Sequence, residues 1–239
     1  MTSSKPLVGV IGGVGPLATA YFVDKVVRLT EAERDQDHVD LVVFNHASIP
    51  DRTDFVVGRS QEDPGPVMAA DARRLEAFGA DFLVLPCNTA HTFTEEIQQA
   101  VGIPLVSIVE ETIAEARRRV PGLERAAVLA TTGTLRSGVY HHALEEQGVT
   151  PLAPDEEDQA LVMRVIYEQV KAGRPVELPV LEGVVDRLAQ QGAQVVLLGC
   201  TELSVVAQDA GLLADARYVD SLDVLARATI RRAGARVRE

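Results

Sequence analysis

Three landmarks occur twice along the chain, in the same order and at nearly the same spacing. A short β-branched segment runs into a Gly- or Thr-rich loop (7-LVGVIGG-13 and 126-AAVLAT-131), a second into a cysteine (82-FLVLPC-87 and 194-QVVLLGC-200), and a third into a serine (104-PLVSI-108 and 217-RYVDS-221). Gly12 and Cys87 are 75 residues apart, and Cys87 and Ser107 are 20 apart. Thr131 and Cys200 are 69 apart, and Cys200 and Ser221 are 21 apart. Helical patterns separate the strands, and such alternation makes an α/β fold with parallel sheets. The expected architecture is two pseudo-symmetric α/β lobes, each an open parallel sheet flanked by helices. The expected division is residues 1–113 plus 215–239 for one lobe and 114–214 for the other.

The periodicities place a further strand at 40–46 and helices at 16–32, 64–79, 89–102, 110–120, 134–148, 156–173, 179–192 and 222–234. Pro16 and Pro64 suit helix starts, and Gly102 suits the end of the third helix. The stretch 150–158 reads as a solvated loop.

In open parallel sheets, ligands bind at the carboxyl ends of the strands. If the two lobes face each other, those ends converge on one cleft, to which each lobe brings one cysteine. Cys87 and Cys200 both stand where a strand gives way to a helix. Free amides and the positive end of a helix dipole there favour a thiolate or a bound carboxylate. A lone free cysteine is most often a small buried hydrophobe, but two at equivalent boundaries of a duplicated chain argue for use. Stereoinversion at carbon needs a base on one face and an acid on the other, and a thiolate/thiol pair supplies both in either direction. That chemistry needs no cofactor. The three lysines, Lys5, Lys25 and Lys171, lie in no recognisable setting for a pyridoxal Schiff base.

The loop 12-GGVGPLAT-19 lacks both the GxxxxGK[ST] and the GxGxxG spacing of nucleotide sites and fits a small carboxylate better. Gly12 and, in the second copy, Thr131 are therefore read as substrate-loop residues. No CxxC, HxxxH or HExxH is present, so no metal site is expected. A net charge of −12 argues against nucleic acid or an anionic membrane surface as a partner. The apolar runs fall short of the roughly 20 residues of a membrane span, and MTSSK opens no leader pattern. The expected compartment is the cytoplasm.

The segments 12-GGVGPLAT-19, 46-HASIPDRT-53, 85-LPCNTAH-91, 129-LATTGT-134 and 198-LGCTEL-203, in this order, resemble the aspartate/glutamate racemase superfamily, and in detail its aspartate racemase branch. The resemblance implies a cofactor-independent amino-acid racemase, most simply interconverting L- and D-aspartate, with Cys87 and Cys200 as the two acid/base groups. It implies that Asn88, Thr89 and Thr201 hold the α-carboxylate. It implies that Arg52 binds a distal carboxylate, for which a guanidinium fork is suited, assisted by Lys171. A homodimer is also implied. Where dedicated glutamate racemases carry GCTH, this chain has Glu202, which reads either as a contact for the substrate ammonium or as a carboxylate stabilised by a helix N-terminus. His91, four residues after Cys87, reads either as a group tuning the thiol or as a capping or packing residue. Two alternatives stay open: a broad-specificity racemase or epimerase, and a non-catalytic dicarboxylate-binding protein on the same fold.

Overall fold

A computed structural model describes residues 5–238; the opening MTSS, read above for a leader pattern, lies outside them. The chain divides into two compact units. The first runs to Ile108 and resumes at Leu222, and the second is Val109–Ser221.

The first unit contains β1 (Leu7–Gly12), α1 (Pro16–Leu29), β2 (Asp40–Asn45), α2 (Arg52–Val56), α3 (Gly65–Phe78), β3 (Phe82–Val84), α4 (Thr94–Gln99) and β4 (Leu105–Val106). Its strands are all parallel, in the order β2-β1-β3-β4. The second unit opens with α5 (Ile108–Arg119), which it holds from Val109 onward, and continues with β5 (Arg125–Ala130), α6 (Thr132–Ser137), α7 (Val139–Glu145), β6 (Thr150–Leu152), α8 (Glu156–Arg164), α9 (Leu178–Gln190), β7 (Val195–Gly199), α10 (Thr201–Asp209) and β8 (Tyr218–Asp220). Its strands are again parallel, in the order β6-β5-β7-β8. The last helix, α11 (Ser221–Arg232), counts with the first unit from Leu222 onward.

The two sheets thus repeat one topology, with β3 and β7 in matching places, each leading to a cysteine. Burial explains the near-continuous apolar runs. Every residue of β7 is buried, and so are Val8, Val10 and Ile11 of β1. Strands covered on both faces need no polar alternation. In the first unit Ile11, Met68, Leu75, Leu83 and Leu85 share a core with Cys87; in the second, Leu129, Val165, Val184, Leu198 and Leu203 share one with Cys200. Each fully buried aliphatic side chain contributes about 1.5–3 kcal/mol.

The glycines at the end of β1 and just after it are set by chain packing. A Cβ on Gly12 would come within 2.5 Å of Thr19 Cγ2, and one on Gly13, whose φ is +84°, within 2.3 Å of the His46 backbone. The β1–α1 loop therefore lies directly on the residues that follow β2.

Several expected elements take another form. The helix expected over 89–102 is a 3-10 turn, Thr89–Phe93, followed by the short α4. Gly102 does not cap it; its N–H is taken by the Glu76 carboxylate at 2.8 Å. The helix expected over 134–148 is broken at Gly138, which adopts φ 72° between α6 and α7. The helix expected over 156–173 keeps α geometry only to Arg164 and continues as a π-helical turn, Val165–Val170. The stretch 150–158, expected as loop, contains β6, an edge strand that accommodates Pro151. Helix α1 stops at Leu29 because Thr30 bridges to Val237.

Candidate active site

Cys200 is the N-cap of α10 and is 4% exposed. β7 ends at Gly199, which pairs with Ala130 at the end of β5, so the cysteine and Thr131 follow adjacent strand ends. Thr201 and Glu202 open the helix. Glu202 folds back over the cap: the thiol of Cys200 donates to Glu202 Oε2 at 3.1 Å, and the Thr201 hydroxyl donates to the same oxygen at 3.4 Å. Lys171 Nζ lies 3.9 Å from the other carboxylate oxygen. Burial, and then the negative charge of Glu202, push the Cys200 thiol well above its usual range, while Lys171 pulls it the other way. Cys200 therefore rests as a thiol hydrogen-bonded to the Glu202 carboxylate.

Thr131 caps α6, its hydroxyl accepting the Thr134 N–H at 3.1 Å. Ser204, one turn beyond Cys200, donates to the buried Asp220 carboxylate, and Ser221 donates to Leu198 O at 2.7 Å. The first bond ties the first turn of α10 to the end of β8, and the second ties the start of α11 to β7.

In the first unit, Cys87 is 8% exposed and lies three residues beyond β3; Asn88 and Thr89 beside it are buried. No long α-helix starts there, so the helix-dipole argument made for both cysteines holds only for Cys200. The hold on Cys87 is made by His91 instead. Its Nδ1 donates to Cys87 O at 2.9 Å, and its Nε2 accepts the Ile108 N–H at 3.1 Å. Burial lowers its pKa to about 4, so it is neutral, as that hydrogen-bonding pattern requires. Its side chain thus links the Cys87 carbonyl to the first N–H of α5.

Arg52 is the first residue of α2 and, at 9% exposed, is far from the solvated arginine that its type usually makes. One terminal nitrogen donates to Pro50 O at 2.9 Å and Ile49 O at 3.3 Å, while Nε is buried without a partner. A buried guanidinium with a spare donor is suited to an oxyanion. Gly12 is accounted for by its packing against Thr19 and Phe44. Lys171, expected to assist Arg52, belongs to the second unit and stands beside Glu202. The structure thus brings Cys200, Thr201, Glu202 and Lys171 into one cluster, and Cys87, Asn88 and Thr89 into another with His91. The Cys200–Glu202 contact was not among the expected roles of Glu202. Its sequence signal is the i, i+2 spacing of a cap residue and a first-turn carboxylate.

The Asp/Glu/Hydantoin racemase family matches residues 11–229. The chain belongs to that family. This racemase family member is 31% identical over 230 residues to the broad specificity amino-acid racemase RacX of Bacillus subtilis (strain 168), covering 94% of this chain and 96% of that protein. The structure of Picrophilus torridus aspartate racemase matches it with a TM-score of 0.82 at 30% identity, over 98% of this chain and 96% of the other. Glutamate racemase from Francisella tularensis shares the fold, with a TM-score of 0.69 at 16% identity over 95% of this chain and 81% of that one. Two parallel four-stranded sheets flanked by helices are the fold these proteins have in common with it. Membership makes the chain an isomerase of the racemase class. Among the described residues, no group of three or more His, Cys, Asp and Glu side chains is arranged to hold a metal ion, and no helix is long and apolar enough to cross a membrane.

Proposed function

We propose that the protein racemises aspartate by a two-base mechanism in which Cys87 and Cys200 are the acid/base pair. The observation that carries this reading is the Cys200 thiol held 3.1 Å from Glu202. Packing alone does not call for a carboxylate at a buried sulfur. In one direction Cys87, as thiolate, removes the Cα proton, and Cys200 delivers its thiol proton to the other face of Cα. In the other direction the pair starts as the forward step leaves it, Cys87 as thiol and Cys200 as thiolate beside the Lys171 cation: Cys200 removes the Cα proton and Cys87 delivers its thiol proton to the opposite face, while Glu202 exchanges the Cys200 proton with solvent between cycles. The scheme requires no cofactor. Asn88, Thr89, Thr131 and Thr201 are assigned to the α-carboxylate, and Arg52 and Lys171 to a distal one.

A second reading, favoured by the 31% identity to RacX, is racemisation of several amino acids. Proton NMR of L- and D-aspartate, glutamate, alanine and leucine in D₂O with the reduced protein separates the two. Loss of the α-proton signal confined to aspartate, with appearance of the other enantiomer, supports the first. Exchange across the panel supports the second, and binding without exchange contradicts both.

A further inference from the structure

Lys171 is reached through an irregular piece of helix. α8 ends at Arg164, and Val165–Val170 forms a π-helical turn. The Lys171 N–H bonds Ile166 O at 3.0 Å and the Arg174 N–H bonds Gln169 O at 2.8 Å, both spanning five residues instead of four. Gln169 fastens the far end, its side-chain oxygen accepting the Glu177 N–H at 3.0 Å. Such turns hold one more residue than an α-turn, so they change the direction in which the following side chain leaves the helix, and they are frequent at functional sites. Here the residue that follows is Lys171. Its Nζ sits 4.1 Å from the centroid of the Tyr167 ring, and on its other side it is 3.9 Å from Glu202 Oε1. Tyr167 is half-buried against the core of the second unit, so its ring is a fixed platform.

We infer that Tyr167 is a positioning residue for the reaction: its ring, presented by the π-turn, holds the Lys171 cation beside Glu202 and so sets how firmly the second unit grips a distal substrate carboxylate. The carboxylate part rests on the role given to Lys171 above; the positioning of the cation does not. A cation over an aromatic face is held by the ring quadrupole, and that attraction survives in phenylalanine but not in an aliphatic side chain.

The charged and titratable groups acting on the Cys200 sulfur are Glu202 on α10, Lys171 after the π-turn and Tyr140 on α7. Of these, Lys171 favours the thiolate, so loosening Lys171 makes the thiol harder to ionise. The test uses Cys87→Ser protein, in which Cys200 is the single remaining cysteine, alkylated with iodoacetamide across a range of pH. Tyr167→Leu is expected to raise the midpoint by about half a unit, Tyr167→Phe to leave it in place, and Tyr167→Leu added to Lys171→Ala to cause no further rise. Tyr167→Met serves in the same way if the leucine variant melts early. In the two-cysteine protein, Tyr167→Leu lowers the preference for aspartate over alanine by about threefold to fivefold, and Tyr167→Phe restores it. A midpoint indifferent to Tyr167→Leu, or shifted equally by the phenylalanine variant, overturns the inference. If no amino acid of the panel is racemised, the functional reading falls while the alkylation midpoint still decides the role of Tyr167.

Discussion

The thiol of Cys200 donates to Glu202 Oε2 at 3.1 Å, across the two positions that separate the cap of α10 from its first turn. This contact acts on the sulfur in the same direction as burial. Burial alone disfavours the thiolate, and the adjacent carboxylate disfavours it further, so the sulfur holds its proton until a base takes it.

Replacing Glu202 by Gln removes the charge and the proton acceptor while keeping the shape. The alkylation midpoint of Cys200, measured in Cys87→Ser protein, is expected to fall, because a group that raised it is gone. Racemisation is expected to slow by about a hundredfold, within the range for loss of a general acid–base partner. A midpoint that does not move contradicts the contact.

Arg52 is buried with Nε unpartnered, and in the proposed function Arg52→Ala would remove a charge-assisted, largely desolvated pair with the distal carboxylate. The kcat/KM for aspartate is expected to fall by the equivalent of about 2–3 kcal/mol, while that for alanine changes little. Arg52→Lys keeps the charge but not the fork and should recover only part of the loss. An equal fall for both substrates would mean that Arg52 only holds the Ile49 and Pro50 carbonyls.

His91 carries a pH prediction for stability. Its folded pKa of about 4 lies below the 6.5 of the exposed side chain, so between those values the unfolded chain binds more protons than the folded one. Stability is therefore full above pH 6.5 and falls as the pH drops toward 4, by up to about 3 kcal/mol from this residue. Urea unfolding at pH 7 and pH 4.5 should show a smaller difference in His91→Gln than in the parent protein. Equal differences contradict the neutral cap.

The duplicated order of strand ends is legible in the chain because it rests on local patterns: apolar runs such as 195-VVLLG-199 and the helix starts at Pro16 and near Pro64. The breaks in the expected helices are less so. Gly138 takes a positive φ that splits one helix in two, yet a glycine inside a helical pattern is often tolerated. The π-turn at Val165–Val170 preserves the apolar spacing of an ordinary helix, so periodicity does not reveal it. β6 contains Pro151 and pairs on one side only, and it carries no strand signature strong enough to outweigh the polar residues after it. At the site, both cysteines were found from position alone, whereas the burial of Arg52 and the bonding of His91 to Ile108 depend on contacts distant along the chain.

In the proposed mechanism two thiols share one proton-transfer cycle. The most direct measurement follows α-proton exchange and optical inversion of L- and D-aspartate in D₂O with the parent protein, Cys87→Ser and Cys200→Ser, each shown to be folded by its thermal transition. The parent is expected to exchange and invert both enantiomers, and each single substitution to lower inversion at least a hundredfold. Full inversion by either variant would contradict it.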